Sequence, residues 1–167
     1  MTPLPSLPLT IETVFPYVLG VIARDVSATG YIGAASVPAL SQTDPDYSAK
    51  YEAALRSPGV IFVLWSAGGH PASGADYPQI DLENGLLLSV VENSAPGKNT
   101  TGLSCIQWVR RLLVILHQAG KPAKGGRAVI RHPDTQPAYE IGPVGQGVVC
   151  YFVNLVVRST EPTLGLL

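Results

Sequence analysis

Charge is scarce in this sequence. Asp, Glu, Lys and Arg make up 14% of its 167 residues, where an average soluble domain carries about a quarter. Hydrophobic residues reach 46%, so Thr, Ser, Gly, Pro and some apolar side chains must cover part of the outside. That surplus is either a protein–protein interface or simply a large core. Cysteine is nearly absent: Cys105 and Cys150 are the two present, too few for a disulfide framework. They read as free thiols of a reducing compartment, with a single bridge between them left open. The first basic residue is Arg24, which argues against a secretory leader. No apolar run reaches the ~18 residues of a membrane-spanning helix. The expectation is a soluble protein made in the cytoplasm, with no membrane contact.

Acid is also missing from one long stretch. Residues 93–133 hold seven basic side chains (Lys98, Arg110, Arg111, Lys121, Lys124, Arg127, Arg131) and no carboxylate. Residues 1–92 hold three basic against nine acidic ones, and the remainder sets Arg158 against Asp134, Glu140 and Glu161. The net charge of −1 therefore hides a −6 and a +7 segment. Two complementary sides suit head-to-tail association into rings or stacks; alternatively, folding interleaves the segments and mixes the charges.

The length fits one domain that buries roughly 70% of its unfolded surface. Residues 1–9, with Pro3, Pro5 and Pro8, read as an extended arm because proline lacks a donor and fixes φ. Ile11, Val14, Phe15, Val18, Leu19 and Ile22 have the spacing of an amphipathic helix over 10–29. Pro16 favours Thr13 over Thr10 as its cap, since proline belongs in a first turn. A short helix is expected at 48–56, stopped by Ser57-Pro58-Gly59. Val60-Ile61-Phe62-Val63-Leu64-Trp65 reads as a buried strand, Ala67 to Ala75 as a Gly-rich loop, and 81–93 as a second, antiparallel strand. Leu103, Ile106, Val109, Leu112, Leu113 and Leu116 predict a helix over 102–119, stopped by Gly120 and Pro122. A short strand is expected at 127–132, and 133–146 reads as a long turn region with some strand character at Tyr139-Glu140-Ile141. Residues 147–158 are apolar on both faces apart from Asn154, so they should form a central strand; 159–167 read as a loose tail. The fold class is α+β, a single domain with a mostly antiparallel sheet of about four strands and two main helices packed on it.

The chemistry-bearing residues form no known catalytic or metal-binding pattern. His70, His117 and His132 are dispersed, and no Cys pair has zinc spacing. No G-x-S-x-G elbow occurs. Cys105 near a helix start is either an activated thiol or, more plainly, a packed one. Pro96-Gly97-Lys98-Asn99-Thr100 has a phosphate-loop outline but lacks the upstream glycine and the residue after lysine. Glu92-Asn93 ends a strand before a basic segment. It can pair with Arg110 or Arg111 across a subunit boundary, or be a satisfied polar turn.

Several strings together resemble the tail terminator and tail-completion proteins of long-tailed phages. They are the opening helix over 10–29, the Ser57-Pro58-Gly59-Val60-Ile61-Phe62-Val63 entry to strand one, and the Val90-Val91-Glu92-Asn93 exit of strand two. The helix ending Leu116-His117 and the last strand ending Val156-Val157-Arg158 complete the likeness, which spans residues 10–158 in layout and texture. The resemblance implies a structural virion subunit, made in the host cytoplasm and not an enzyme, with no cofactor. It implies a homo-oligomeric ring, typically a hexamer, at the head-proximal end of the tail. That ring ends tube polymerisation, contacts the tail tube protein and the head connector, and meets DNA only as it passes through the lumen. The candidate interface residues are Glu92, Asn93, Lys98, Arg110, Arg111 and Arg127.

Two other classes compete. A small enzyme or ligand-binding domain would use the loops at 67–77 and 94–101. A nucleic-acid binder would use the basic segment 98–131, which has Trp108 as its single aromatic and sits in a slightly acidic chain.

Overall fold

The computed structural model describes residues 8–28, 49, 60–72, 79–93, 104–121, 128–142 and 148–162. Within them the chain forms α1 (Ile11–Ala28), β1 (Val60–Pro71), β2 (Gln79–Asn93), α2 (Cys105–Ala119), β3 (Ile130–Arg131), β4 (Tyr139–Ile141) and β5 (Val148–Pro162). The α+β class is as expected, with two helices and an antiparallel sheet. The sheet has five strands among the described residues, in keeping with the expected four or so: order β1-β2-β5-β3, with β4 also paired to β5. Among them is Tyr139–Ile141, whose short exposed run gave only a weak strand signal. The short helix expected at 48–56 falls outside the described residues apart from Ala49.

β5 is central, as its two apolar faces predicted. It pairs with β2 from Gln79↔Pro162 to Asn93↔Val148 on one side and with β3 and β4 on the other. Opposite residues in an antiparallel pair share a face. Leu86, Leu88 and Val90 therefore lie beside Leu155, Val153 and Tyr151 under the helices. α1 contributes Val14, Tyr17, Val18, Val21 and Ile22 to this core, and α2 contributes Cys105, Trp108, Val109, Leu112 and Leu116. Each large side chain so buried is worth about 1.5–3 kcal/mol.

Both helices sit slightly rotated from their expected faces. Ile11 and Ile106 point outward, 53% and 41% exposed, while Tyr17 and Trp108 are buried in their place. In helices this rich in apolar residues more than one stripe satisfies the period, and the bulkier aromatic takes the interior. The Tyr17 hydroxyl donates to the Ala119 carbonyl at 3.3 Å, joining α1 to the end of α2; burial raises its pKa, opposed by Arg24.

Thr10, not Thr13, occupies the cap of α1. The Thr10 N–H donates to Thr13 Oγ1 at 2.8 Å, and the Thr13 hydroxyl donates back to the Thr10 carbonyl at 3.1 Å. Pro16 consequently lies inside the helix, on its exposed side. A proline there leaves the Glu12 carbonyl without its i+4 donor, a loss that water can offset on the exposed side.

Three further boundaries move. β1 runs on through Pro71, so part of the expected Gly-rich loop is strand. The register slips by one between Ser66 and Gly68, a bulge that Gly68 permits with φ of +91°. Residues 159–162 are strand, because they stay paired with β2 and Ser159 is buried. Leu9 belongs to the domain and not to an arm: it is 1% exposed, and its carbonyl accepts from Thr160 N at 2.7 Å. Residues 1–7 and 163–167 fall outside the described set.

Gly120 ends α2 with φ of −77°, a conformation open to any residue. Its need for glycine comes from crowding. A Cβ there would press on the backbone of Ile130, with the nitrogen at 2.8 Å, where Val129 N donates to the Gly120 carbonyl at 2.9 Å.

Candidate subunit interface

Helix α2 carries the central part of the basic segment, and its start is fixed by two local devices. Gln107 Oε1 accepts from the Ser104 backbone N–H at 2.8 Å and from the Ser104 hydroxyl at 3.1 Å. Glu92 Oε2, from the end of β2, accepts from Cys105 N at 2.6 Å. A carboxylate at a helix N-terminus satisfies an orphan donor and complements the positive end of the dipole. α1 has the same arrangement: Glu161 Oε1 of β5 accepts from Ile11 N at 2.5 Å. One strand carboxylate thus sets the start of each helix. The role of Glu161 was hidden in the sequence because residue 161 fell in the expected tail.

Of the six candidate interface residues, the structure brings Glu92 into the subunit's own fold, where its carboxylate is engaged as a helix cap. Asn93 pairs through its backbone with Val148. Lys98 and Arg127 lie outside the described residues. Arg110 and Arg111 are both on α2 but differ. Arg111 is half-buried with its guanidinium 5.8 Å from the centroid of Trp108, a cation–π contact worth about 0.5–1 kcal/mol. Arg110 is exposed. It stands between Ile106 and Val114, which are 41% and 49% exposed. The i, i+4, i+8 spacing puts the three on one line of the helix surface, with exposed Gln107 and His117 flanking it. This line of two aliphatic side chains around one arginine was missed in the sequence, where Ile106 was assigned to the core.

Both thiols are buried and free. Cys105 Sγ donates to the Val90 carbonyl at 3.2 Å. Burial pushes its pKa from 9.0 up to about 12, aided by the nearby charges of Glu92 and Cys150. The packing overrides the helix dipole that would otherwise activate it. Cys150 is buried and free as well, with its pKa raised by burial. His70 and His117 are exposed, and His132 Nδ1 lies 3.2 Å from the Asn154 carbonyl. Among the described residues no three His, Cys, Asp or Glu side chains are grouped to hold a metal, and no helix is long and apolar enough to cross a membrane.

Of the two loops that a ligand-binding reading would use, residues 67–71 are strand, while 73–78 and 94–101 lie outside the described residues. Compared with known proteins, the chain matches no family model and no curated protein with significant similarity.

Proposed function

We propose that this chain is a structural subunit, not an enzyme, that works as a ring of identical copies, as the resemblance to phage tail terminators implies. On this reading the ring is a hexamer at the head-proximal end of a tail tube. It ends tube polymerisation and presents a surface to the head connector. The observation that carries the proposal is the exposed Ile106–Arg110–Val114 line on α2. Arginine is enriched at protein–protein contacts and the buried centre of a contact is more apolar than the rest of the surface, and this line offers both. The line sits in a +7 segment of a chain whose first 92 residues carry −6. A ring contact is head-to-tail, joining two different patches, and opposite charge on them would fix register and speed association more than it adds affinity.

The test is the oligomer distribution of the purified chain by mass photometry at micromolar concentration, with and without tail tube protein. The proposal expects a closed species, a hexamer of 17.6 kDa subunits, either free or assembled on tube ends. A chain that stays monomeric in both conditions would refute it.

A further inference from the structure

Six large hydrophobic side chains stand exposed among the described residues. Ile106 and Val114 belong to the α2 line that carries Arg110. Tyr139 and Ile141 belong to β4, whose acid, Glu140, lies on the other face of the sheet and accepts from Asn154 Nδ2 at 3.2 Å. Ile11 and Ile80 are 53% and 44% exposed, and Glu161 brings them together. Register puts Ile80 of β2 directly across from Glu161 of β5. The Glu161 carboxylate in turn accepts from Ile11 N at the start of α1. Glu12, the next residue, is exposed as well. Two isoleucines and two carboxylates are thus gathered at one place, where the α2 line sets two aliphatic side chains around a guanidinium. The two patches are alike in apolar content and opposite in charge. They also lie at opposite ends of the sheet. Glu92, near the end of β2, fixes the start of α2; Ile80, at the beginning of β2, lies beside the start of α1. These two positions are twelve residues apart along the strand, about 40 Å at ~3.3 Å per residue. Each patch is exposed in the single subunit, so neither covers the other. Complementary patches at separate ends of one subunit can satisfy each other only between copies, head to tail.

We propose that the Ile106–Arg110–Val114 line of one copy docks on the Ile11–Glu12–Ile80 patch of the next, with Arg110 set against Glu12. The inference rests on the ring reading and names the second half of its contact. Glu161 commits one carboxylate oxygen to the start of its own α1, which makes Glu12 the principal partner of the guanidinium. An arginine with a carboxylate in reach forms charge-assisted hydrogen bonds of fixed geometry. Those bonds set the register of the two copies, while Ile11, Ile80, Ile106 and Val114 supply apolar area at the centre of the contact. β4 is the weaker partner for the same line, because its exposed Tyr139 and Ile141 present no acid on their own face.

The experiment is complementation between two charge reversals, read by mass photometry with and without tail tube protein at an ionic strength well below ~0.15 M. The samples are the parent, Glu12→Arg, Arg110→Glu and an equal mixture of the two variants. Each variant alone sets like charge against like charge in every contact, so its assembly should require about tenfold more protein than the parent's, or more. In the mixture each variant offers the intact patch that the other lacks, and the two reversed patches are again opposite in charge. Assembly should therefore return toward the parent's level, which misfolded chains could not achieve. Glu12→Arg that assembles like the parent, or a mixture no better than its components, overturns the docking and leaves the ring reading standing. A parent that stays monomeric in both conditions overturns the ring reading and this contact with it. Ile80→Ser is a further variant that leaves every charge in place. It should weaken assembly about fivefold through lost apolar area, and unchanged assembly also overturns the proposal.

Discussion

On the helix-covered face of the sheet, Leu88, Val90, Val153 and Val157 retain none of their accessible surface. On the opposite face of the same two strands, Glu83, Leu87, Phe152, Val156 and Arg158 keep part of theirs. The buried polar groups divide as well. On the helix side, Asn84 is satisfied within the sheet by the Val157 carbonyl at 3.0 Å and Ser159 Oγ at 2.9 Å. On the other side, Asn154 Nδ2 reaches out of the sheet to the Pro137 carbonyl at 2.9 Å and Glu140 Oε1 at 3.2 Å, and Arg158 Nε is left without a partner. Alternate residues of one strand thus perform different tasks. One set closes the core under the helices, and the other carries the ionic pair of positions Glu83 and Arg158 beside its own buried residues.

The largest effect expected from this contrast is at Val153. Val153→Asp puts an unpaired charge in the centre of the core and should cost more than ~4 kcal/mol, read as loss of soluble protein and of its circular dichroism. Phe152→Ser, one residue earlier and on the other face, should leave a folded protein. If both variants fold equally well, the two faces are not different in kind.

Gly120→Ala is next. The added methyl must displace the backbone of β3 rather than a flexible side chain, so a loss of about 1–3 kcal/mol is expected, seen as a lower thermal midpoint. A neutral result would show that β3 can move away from the end of α2 freely.

Glu92→Gln and Glu161→Gln keep an acceptor at each helix start but remove the charge. Each should cost about 0.3–1 kcal/mol, less at high salt, measured by urea denaturation. Equal losses for the two would support the parallel between the caps.

The smallest effect at neutral pH concerns Cys105. Its thiol pKa rises from 9.0 unfolded to about 12 folded, so between these values the unfolded chain has lost a proton that the folded chain keeps. Stability from this group is therefore complete below about pH 9 and declines as pH rises from there toward 12. Urea midpoints at pH 7.5 and 10.5 should show a smaller alkaline loss in Cys105→Ala than in the parent. Identical losses would place the thiol in a more solvated site.

The sequence made the class of the fold and the centrality of β5 legible, because long periodic runs such as 147–158 allow few alternatives. It was less informative where period and chemistry disagreed. Pro16 drew the cap of α1 to Thr13, but the Thr10–Thr13 hydrogen bonds and the burial of Tyr17 hold the helix start three residues earlier. The strand ends at 67–71 and 159–162 looked like loop because Gly, Ser, Thr and Pro dominate them; pairing to β2 makes them strand. Of the candidate interface, the exposure of Arg110 followed from its place outside the apolar stripe. The capping role of Glu92 depends on where Cys105 sits in space. The Ile11–Glu12–Ile80 patch was hidden altogether, since it depends on strand register and not on spacing along the chain.

The assembly reading is tested most directly at Arg110, because Arg111 also stacks on Trp108 and its loss would confound assembly with stability. Mass photometry of the parent and of Arg110→Glu, at an ionic strength well below ~0.15 M where exposed pairs are least screened, compares the two at equal concentration. A closed ring in the parent that falls to monomers or open fragments in Arg110→Glu, with an unchanged thermal midpoint, is the predicted result. Rings formed equally well by both proteins would remove the α2 face from the contact and contradict the account.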